Sequence, residues 1–277
     1  MTENMIAEYR SNYNKQIKEY KRYMFARALE DDLVSKNPCK GVVIRTAKQI
    51  KAKALTVEEQ EIFFEACKNT FYDNMFHVAV NTGLRPGEIF ALTKNDVDME
   101  NSFIEVNKTL VYQKYLTDER KTFHLEPPKT KQSYRKVPIN SVCKKYLEKQ
   151  FELKDIVSKK RPKEQNDFLF VTKYNTPLNS VIYTDAIRSI VKKINDLRSL
   201  DDAFPFFSGH TFRHTFATRC FENGVQAKVV QSYLGHASLK MTMDLYTHVL
   251  EDKLSTDIEK IVPETKSNVV DFKGRTA

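Results

Sequence analysis

Ser208-Gly209-His210-Thr211-Phe212-Arg213-His214 carries the pattern from which the rest of the chain is read. A glycine precedes His210, and His210 and Arg213 stand at i and i+3. A helix starting here therefore presents both from one face of its first turn. Helix N-terminal amides beside a histidine and a guanidinium suit a phosphate oxygen. His214 lies at i+4 from His210 and could join that face, but Phe212, Phe216 and Ala217 around it favour a histidine packed against the core.

Downstream, Tyr233-Leu234-Gly235-His236 ends a helix with Gly at the C-terminal stop position, which leaves His236 on a tight turn. Ser238 then caps a helix containing Tyr246 and His248. With thirteen tyrosines in the chain, Tyr246 carries no meaning by itself. Far upstream, Thr82-Gly83-Leu84-Arg85-Pro86-Gly87-Glu88 places an arginine at the mouth of a helix between two glycines. Arg85 could clamp an anion there, or merely cap a turn and pair with Glu88. Between the two regions lies RKTFHLEPPKTKQSYRK, residues 120–136, with six Lys/Arg against one Glu. Such a run is often only a solvated face, but Pro127-Pro128 makes a rigid turn that presents Lys129 at a defined place.

The chain has 277 residues, room for about two domains. Its 45 Lys+Arg against 36 Asp+Glu give +9, and the composition is globular, which makes a polyanion a reasonable partner. No run approaches the roughly 18 apolar residues of a membrane span, and MTENMIAEYR lacks the basic flank and apolar stretch of a signal peptide, so a cytoplasmic protein is expected. Cys39, Cys67, Cys143 and Cys220 form no C-x-x-C pair, against a zinc site or a disulfide framework. Seven glycines, where average usage of about 7% would give roughly nineteen, predict a helix-rich chain.

Twelve Lys/Arg and six Asp/Glu fall within residues 1–53, so +6 of the +9 resides in about a fifth of the chain. Ile17, Tyr20, Tyr23, Met24, Ala28 and Leu29 predict an amphipathic helix ended near Asn37-Pro38 and Gly41, followed by a basic linker from Val42 to Lys53. Thr56 and Glu59 form a capping-box signature opening the next unit. Helices are predicted near 73–81, 86–92, 141–156, 179–197, 210–223, 225–234 and 238–253. Alternating residues around Phe103 to Asn107, with Val111, Phe123, Leu125, Val137 and Ile139, predict one small antiparallel sheet over 102–139. The fold class is mainly α with a small antiparallel β-sheet (α+β). The expected division is a basic helical region and linker over 1–53, a second domain over 54–255 and a loose tail over 256–277.

Arg85, Lys129, His210, Arg213, His236 and Tyr246, in that order, resemble the active-site series of the tyrosine recombinases, or phage integrases. T-G-L-R-P-G-E, H-T-F-R-H and L-G-H followed ten residues later by Tyr are each close to the family's patterns. Phe212, where Leu is more usual, changes only a packing residue. The resemblance makes 1–53 a partial helical core-binding (DNA-binding) region and 54–255 a catalytic domain. The resemblance implies that Tyr246 attacks a DNA phosphate to give a 3′-phosphotyrosine. Arg85 and Arg213 would hold the non-bridging oxygens, and His210 would take the phenolic proton or bond an oxygen. His236 would donate to the phosphate, Lys129 would protonate the leaving 5′ oxygen, and Glu88 would orient Arg85. Neither metal nor cofactor is expected. Lys48, Lys51, Lys53, Lys131 and Arg135 are expected to contact DNA.

The partners implied are double-stranded DNA at specific recombination sites, a homotetramer on that DNA, and a DNA-bending accessory protein or excisionase. The element served would be a phage or conjugative mobile element. Type IB topoisomerase-like relaxation and a catalytically idle DNA-binding protein are the alternatives. Residues 1–53 have room for only the last one or two helices of the family's core-binding domain, so a truncated or naturally short member is expected.

Overall fold

The computed structural model describes residues 17, 19–40, 54–161 and 166–245. The chain divides into two compact units, Met1–Ala52 and Lys53–Ala277. In the first, helix α1 spans 19–30 and ends at Asp31-Asp32, earlier than the Asn37-Pro38 expected. The reason is local. Asp32 takes a left-handed φ of 54°, and the Leu33 amide closes back onto the Ala28 carbonyl at 2.8 Å, which terminates the helix. Asn37 instead shapes the following turn, accepting from the Cys39 amide at 2.9 Å. The linker from Val42 to Lys53 lies outside the described residues.

The second unit opens with helix α2 (Val57–Cys67), and its capping box forms as the sequence predicts. Thr56 Oγ1 accepts from the Glu59 amide at 3.0 Å, and Glu59 accepts from the Thr56 amide at 2.8 Å. Helix α3 (Asp73–Thr82) is buried along nearly its whole length and packs against α5 (Ser141–Lys160) and α7 (His210–Glu222). Met75, Phe76, Val78, Ala79 and Val80 are buried, and Asp73, His77 and Asn81, four residues apart, leave only a narrow polar stripe on this helix. Around it Phe63, Phe76, Phe207 and Phe212 meet with ring centroids 5.0–5.6 Å apart, mostly edge to face. Phe212 is 1% exposed at the centre of this cluster, so it holds α7, and with it His210 and Arg213, against α2 and α3.

Short helix α4 (Pro86–Ala91) follows α3 directly. The strand region then departs from the single sheet expected. β1 (Val97–Asp98), β2 (Phe103–Val106) and β5 (Arg135–Pro138) form one antiparallel sheet, and β3 (Thr109–Gln113) and β4 (Thr122–Glu126) form a separate hairpin inserted between its members. The split falls at Asn107-Lys108. Lys108 turns its ammonium onto the buried carboxylate of Asp96, which also accepts from Asn107, and β3 leaves the first sheet at this anchor. β2 keeps the expected alternation, with Ile104 and Val106 inward and Glu105 outward.

Helix α6 (Ser180–Asn195) and helix α8 (Ala227–Leu234) complete the named elements. A further helix occupies 239–245 at the end of the described residues. Ala217, Phe221, Val230 and Leu234 make a small second core that pins α8 onto α7. Among the described residues no helix is long and apolar enough to cross a membrane.

Candidate active site

Arg85 stands at the N-cap of α4, between the end of α3 and Pro86. Gly83 closes α3 in the left-handed region at φ 62°, and an added Cβ would meet Phe216 of α7 at 2.5 Å, so only glycine turns the chain here. Glu88, one turn into α4, receives Arg85 Nη1 at 2.7 Å and the Arg85 amide at 2.8 Å. The capping of the turn and the holding of the guanidinium are thus one interaction. Burial alone would raise the Glu88 carboxyl; hydrogen bonds and charge from Arg135, with Arg85 adding to them, bring it below its ordinary value.

Arg213 is buried at 5% exposure on the first turn of α7. Its Nη1 donates to the Gly83 carbonyl at 2.8 Å and its Nη2 to the Leu234 carbonyl at 2.5 Å. Desolvation, with the repulsion of Arg85 behind it, presses the guanidinium down to about 9, still protonated at neutral pH. Arg85 Nη2 reaches the next carbonyl along, Gly235, at 3.2 Å. The two arginines, far apart in sequence, therefore converge on one turn.

That turn carries His236. Gly235 has φ 63°, the left-handed stop of α8, and His236 follows it at 7% exposure. His236 Nδ1 lies 2.9 Å from Thr242 Oγ1, its amide donates to the Gln231 carbonyl, and its own carbonyl accepts from Gln231 Nε2. With Nδ1 engaged, Nε2 is the nitrogen left for a ligand. Burial, and then the charges of Arg213 and Arg85, hold this imidazole down to about 4, so it is neutral at physiological pH. His210, the first residue of α7 and a lining residue of the adjoining cleft, is lowered by desolvation and by Arg213 and Arg85. His214 is half-buried, with its Nδ1 buried and unbonded.

A cleft of about 570 Å³ opens beside this cluster, lined by Arg85, Lys129 and His210 together with Lys108, Tyr112 and Asn179. Gly235 and Ala237, the neighbours of His236, line it as well. Lys129 is exposed on the connection between β4 and β5. Three of the six residues singled out in the sequence thus share one cavity wall, and Arg213 and His236 are buried immediately behind it. Lys131 is exposed on the same connection. Tyr246, Lys48, Lys51 and Lys53 lie outside the described residues.

Arg135 corrects the sequence reading. Expected to contact DNA, it has a side chain only 5% exposed and gives both nitrogens of its fork to Glu88, at 3.0 and 2.8 Å, and its Nε to the Tyr233 carbonyl at 2.6 Å. Its guanidinium is turned inward onto these partners rather than out toward a DNA phosphate. Its run of basic neighbours hides this, because the pairing partner is 47 residues upstream. Thr242 is the other residue that the sequence does not betray, since a lone threonine on a helix carries no signal. Arg85 and Arg135 pair with the Glu88 carboxylate and a third guanidinium, Arg213, is held on carbonyls nearby, which leaves a net positive site for an anion. Among the described residues no group of three or more His, Cys, Asp or Glu is arranged to hold a metal ion.

The phage integrase family model matches residues 53–253. The chain belongs to the phage integrase family. It is 29% identical over 259 residues to the transposase of transposon Tn916 from Enterococcus faecalis, covering 90% of this chain and 62% of that protein. To a XerC-like tyrosine recombinase of Caldanaerobacter subterraneus it is 31% identical over 261 residues, covering 89% of this chain and 65% of the relative. The chain thus spans less than two thirds of the length of either relative. Among solved structures, the Tn1549 transposon integrase in complex with a circular intermediate DNA superposes with a TM-score of 0.74 at 25% identity, covering 89% of this chain and 78% of the other. These likenesses agree with the α+β fold and with the integrase resemblance drawn from the sequence.

Proposed function

We propose that this integrase-family chain is a site-specific DNA recombinase that cleaves and rejoins DNA through a phosphotyrosine at Tyr246, in the service of a phage or conjugative element. One observation carries the reading: Arg85 and Arg213 converge from α4 and α7 on the turn of His236, beside a cleft that also displays Lys129 and His210. Two guanidiniums can hold the two non-bridging oxygens of a phosphodiester while charge builds on the pentavalent phosphorus, with a fork geometry that lysine lacks. The Tyr246 phenol, of ordinary pKa about 10, needs a proton acceptor to attack at neutral pH. His210, kept neutral, accepts that proton or bonds an oxygen, and His236 donates from Nε2 to the phosphate. Lys129 protonates the 5′ oxygen as it leaves.

The new ester keeps the energy of the broken bond, so the 5′ hydroxyl of a partner strand reverses the step and seals the junction. Residues 1–53 and the exposed Lys131 would contact the duplex, and strand exchange calls for four copies on two duplexes, with or without a DNA-bending protein or excisionase. The Tn1549 relative bound to DNA supports a duplex as substrate. The reading is tested with plasmids carrying two copies of the junction sequence that flanks the encoding element. Recombinant circles confined to those plasmids are expected. Efficient relaxation of supercoiled plasmids lacking the junction would instead indicate a topoisomerase-like enzyme, and binding without any strand breakage an idle DNA-binding protein.

A further inference from the structure

Three successive carbonyls at the end of α8 are each taken by a different arginine. Tyr233 accepts from Arg135 Nε at 2.6 Å, Leu234 from Arg213 Nη2 at 2.5 Å and Gly235 from Arg85 Nη2 at 3.2 Å. The last carbonyls of a helix have no partner within it and sit at the negative end of its dipole, so guanidiniums are well matched to them. His236 follows immediately. Arg85 and Arg213 belong to the proposed phosphate-binding set; Arg135 does not, because both nitrogens of its fork are taken by Glu88.

Arg135 is nevertheless the most heavily engaged of the three. Nη1 and Nη2 grip both oxygens of Glu88, Nη1 also donates to the Ser133 carbonyl at 3.1 Å, and Nε holds Tyr233. Glu88 is the carboxylate that fixes Arg85 through both side chain and main chain. Ser133 closes the short loop that begins at Thr130, beside Lys129: its amide donates to the Thr130 carbonyl at 3.0 Å and the two hydroxyls lie 3.0 Å apart. Gly235 completes the fit, since a Cβ there would stand 3.0 Å from Arg135 Cδ and Nη1.

We propose that Arg135 is the positioning residue of this active site: one buried guanidinium sets Arg85 through Glu88, the turn of His236 through Tyr233, and the root of the Lys129 loop through Ser133. The inference rests on the strand-cleavage reading above. The role demands a planar fork with a separate Nε donor, which a lysine ammonium cannot reproduce.

The test uses the intact chain and a nicked suicide duplex bearing the element's junction sequence, comparing wild type, Arg135→Lys and Arg135→Ala for duplex affinity, single-turnover adduct formation and melting. Both variants should bind the duplex as wild type does and form adduct roughly 100-fold more slowly, the scale expected when a group is misplaced by about 1 Å. Methylguanidinium should restore adduct formation to Arg135→Ala and leave wild type unchanged. Adduct formation by Arg135→Lys at the wild-type rate overturns the proposal, and so does a parallel loss of affinity, melting temperature and cleavage that methylguanidinium does not relieve. If wild type itself forms no adduct, the strand-cleavage reading fails. The positioning role is then decided by the imidazole nitrogen resonances of His236, which Arg135→Lys shifts if the role holds and leaves in place if it does not.

Discussion

Arg213 donates from Nη1 to the carbonyl of Gly83 at 2.8 Å, so one arginine of the cluster holds the turn on which the other, Arg85, stands. The same guanidinium reaches Leu234 with Nη2, tying α3, α7 and α8 together at a single buried point. Arg213→Lys keeps the charge and loses this bridge. We expect adduct formation to fall by about 10²–10³, as on removal of a preorganised oxyanion donor. Stability should drop by about 2 kcal/mol, because two buried carbonyls lose a charged donor. Quenched-flow cleavage and urea unfolding check the two effects separately.

Gly235→Ala examines the backbone of the same turn. A left-handed φ of 63° and the 3.0 Å approach of Arg135 both resist a Cβ. A loss of about 1–2 kcal/mol is expected, together with slower cleavage. Gly224→Ala, also at positive φ but with open space around it, should cost stability without touching cleavage.

The folded chain keeps His77, His214 and His236 down to about 4, in each case by burial first, with nearby charged groups adding to it. Unfolded, each titrates near its ordinary value of about 6.5. Between roughly pH 6.5 and 4 the unfolded chain therefore binds more protons than the folded one, and stability falls as pH drops through that window while reaching a plateau above it. About 1–2 kcal/mol per histidine should be lost by pH 5. The urea midpoint measured from pH 8 to pH 4.5 shows this directly, and a flat midpoint across the window contradicts the burial assigned to these rings.

Lys129→Ala should bind DNA nearly as wild type does and cleave it slowly. A duplex with sulfur in place of the 5′ bridging oxygen, which needs less protonation to leave, should recover most of the rate. Absence of recovery would remove Lys129 from the role of general acid.

What the sequence discloses about this molecule depends on the range of the interaction. The capping box of Thr56 and Glu59, the stop at Gly235 and the i, i+3 pair His210 and Arg213 are local, and their backbone consequences can be read from spacing. Pro38 and Gly41 suggest a later end for α1 than the one observed, because a left-handed Asp32 carries no comparable signal in the sequence. The two sheets are indistinguishable from one in an alternation pattern, since pairing of β2 with β5 across an inserted hairpin leaves no periodic trace. Arg135 fails for the same reason. Its charge reads as a DNA contact, and only the fold brings Glu88 to it.

Tyr246 as the covalent nucleophile is the claim on which the rest stands, and trapping the protein on a nicked suicide duplex with its own junction sequence tests it most directly. Wild type is expected to give a denaturant-resistant protein–DNA adduct on the 3′ phosphate side of the break. Tyr246→Phe is expected to bind the duplex with unchanged affinity and give none. An adduct of equal yield from Tyr246→Phe would contradict the account.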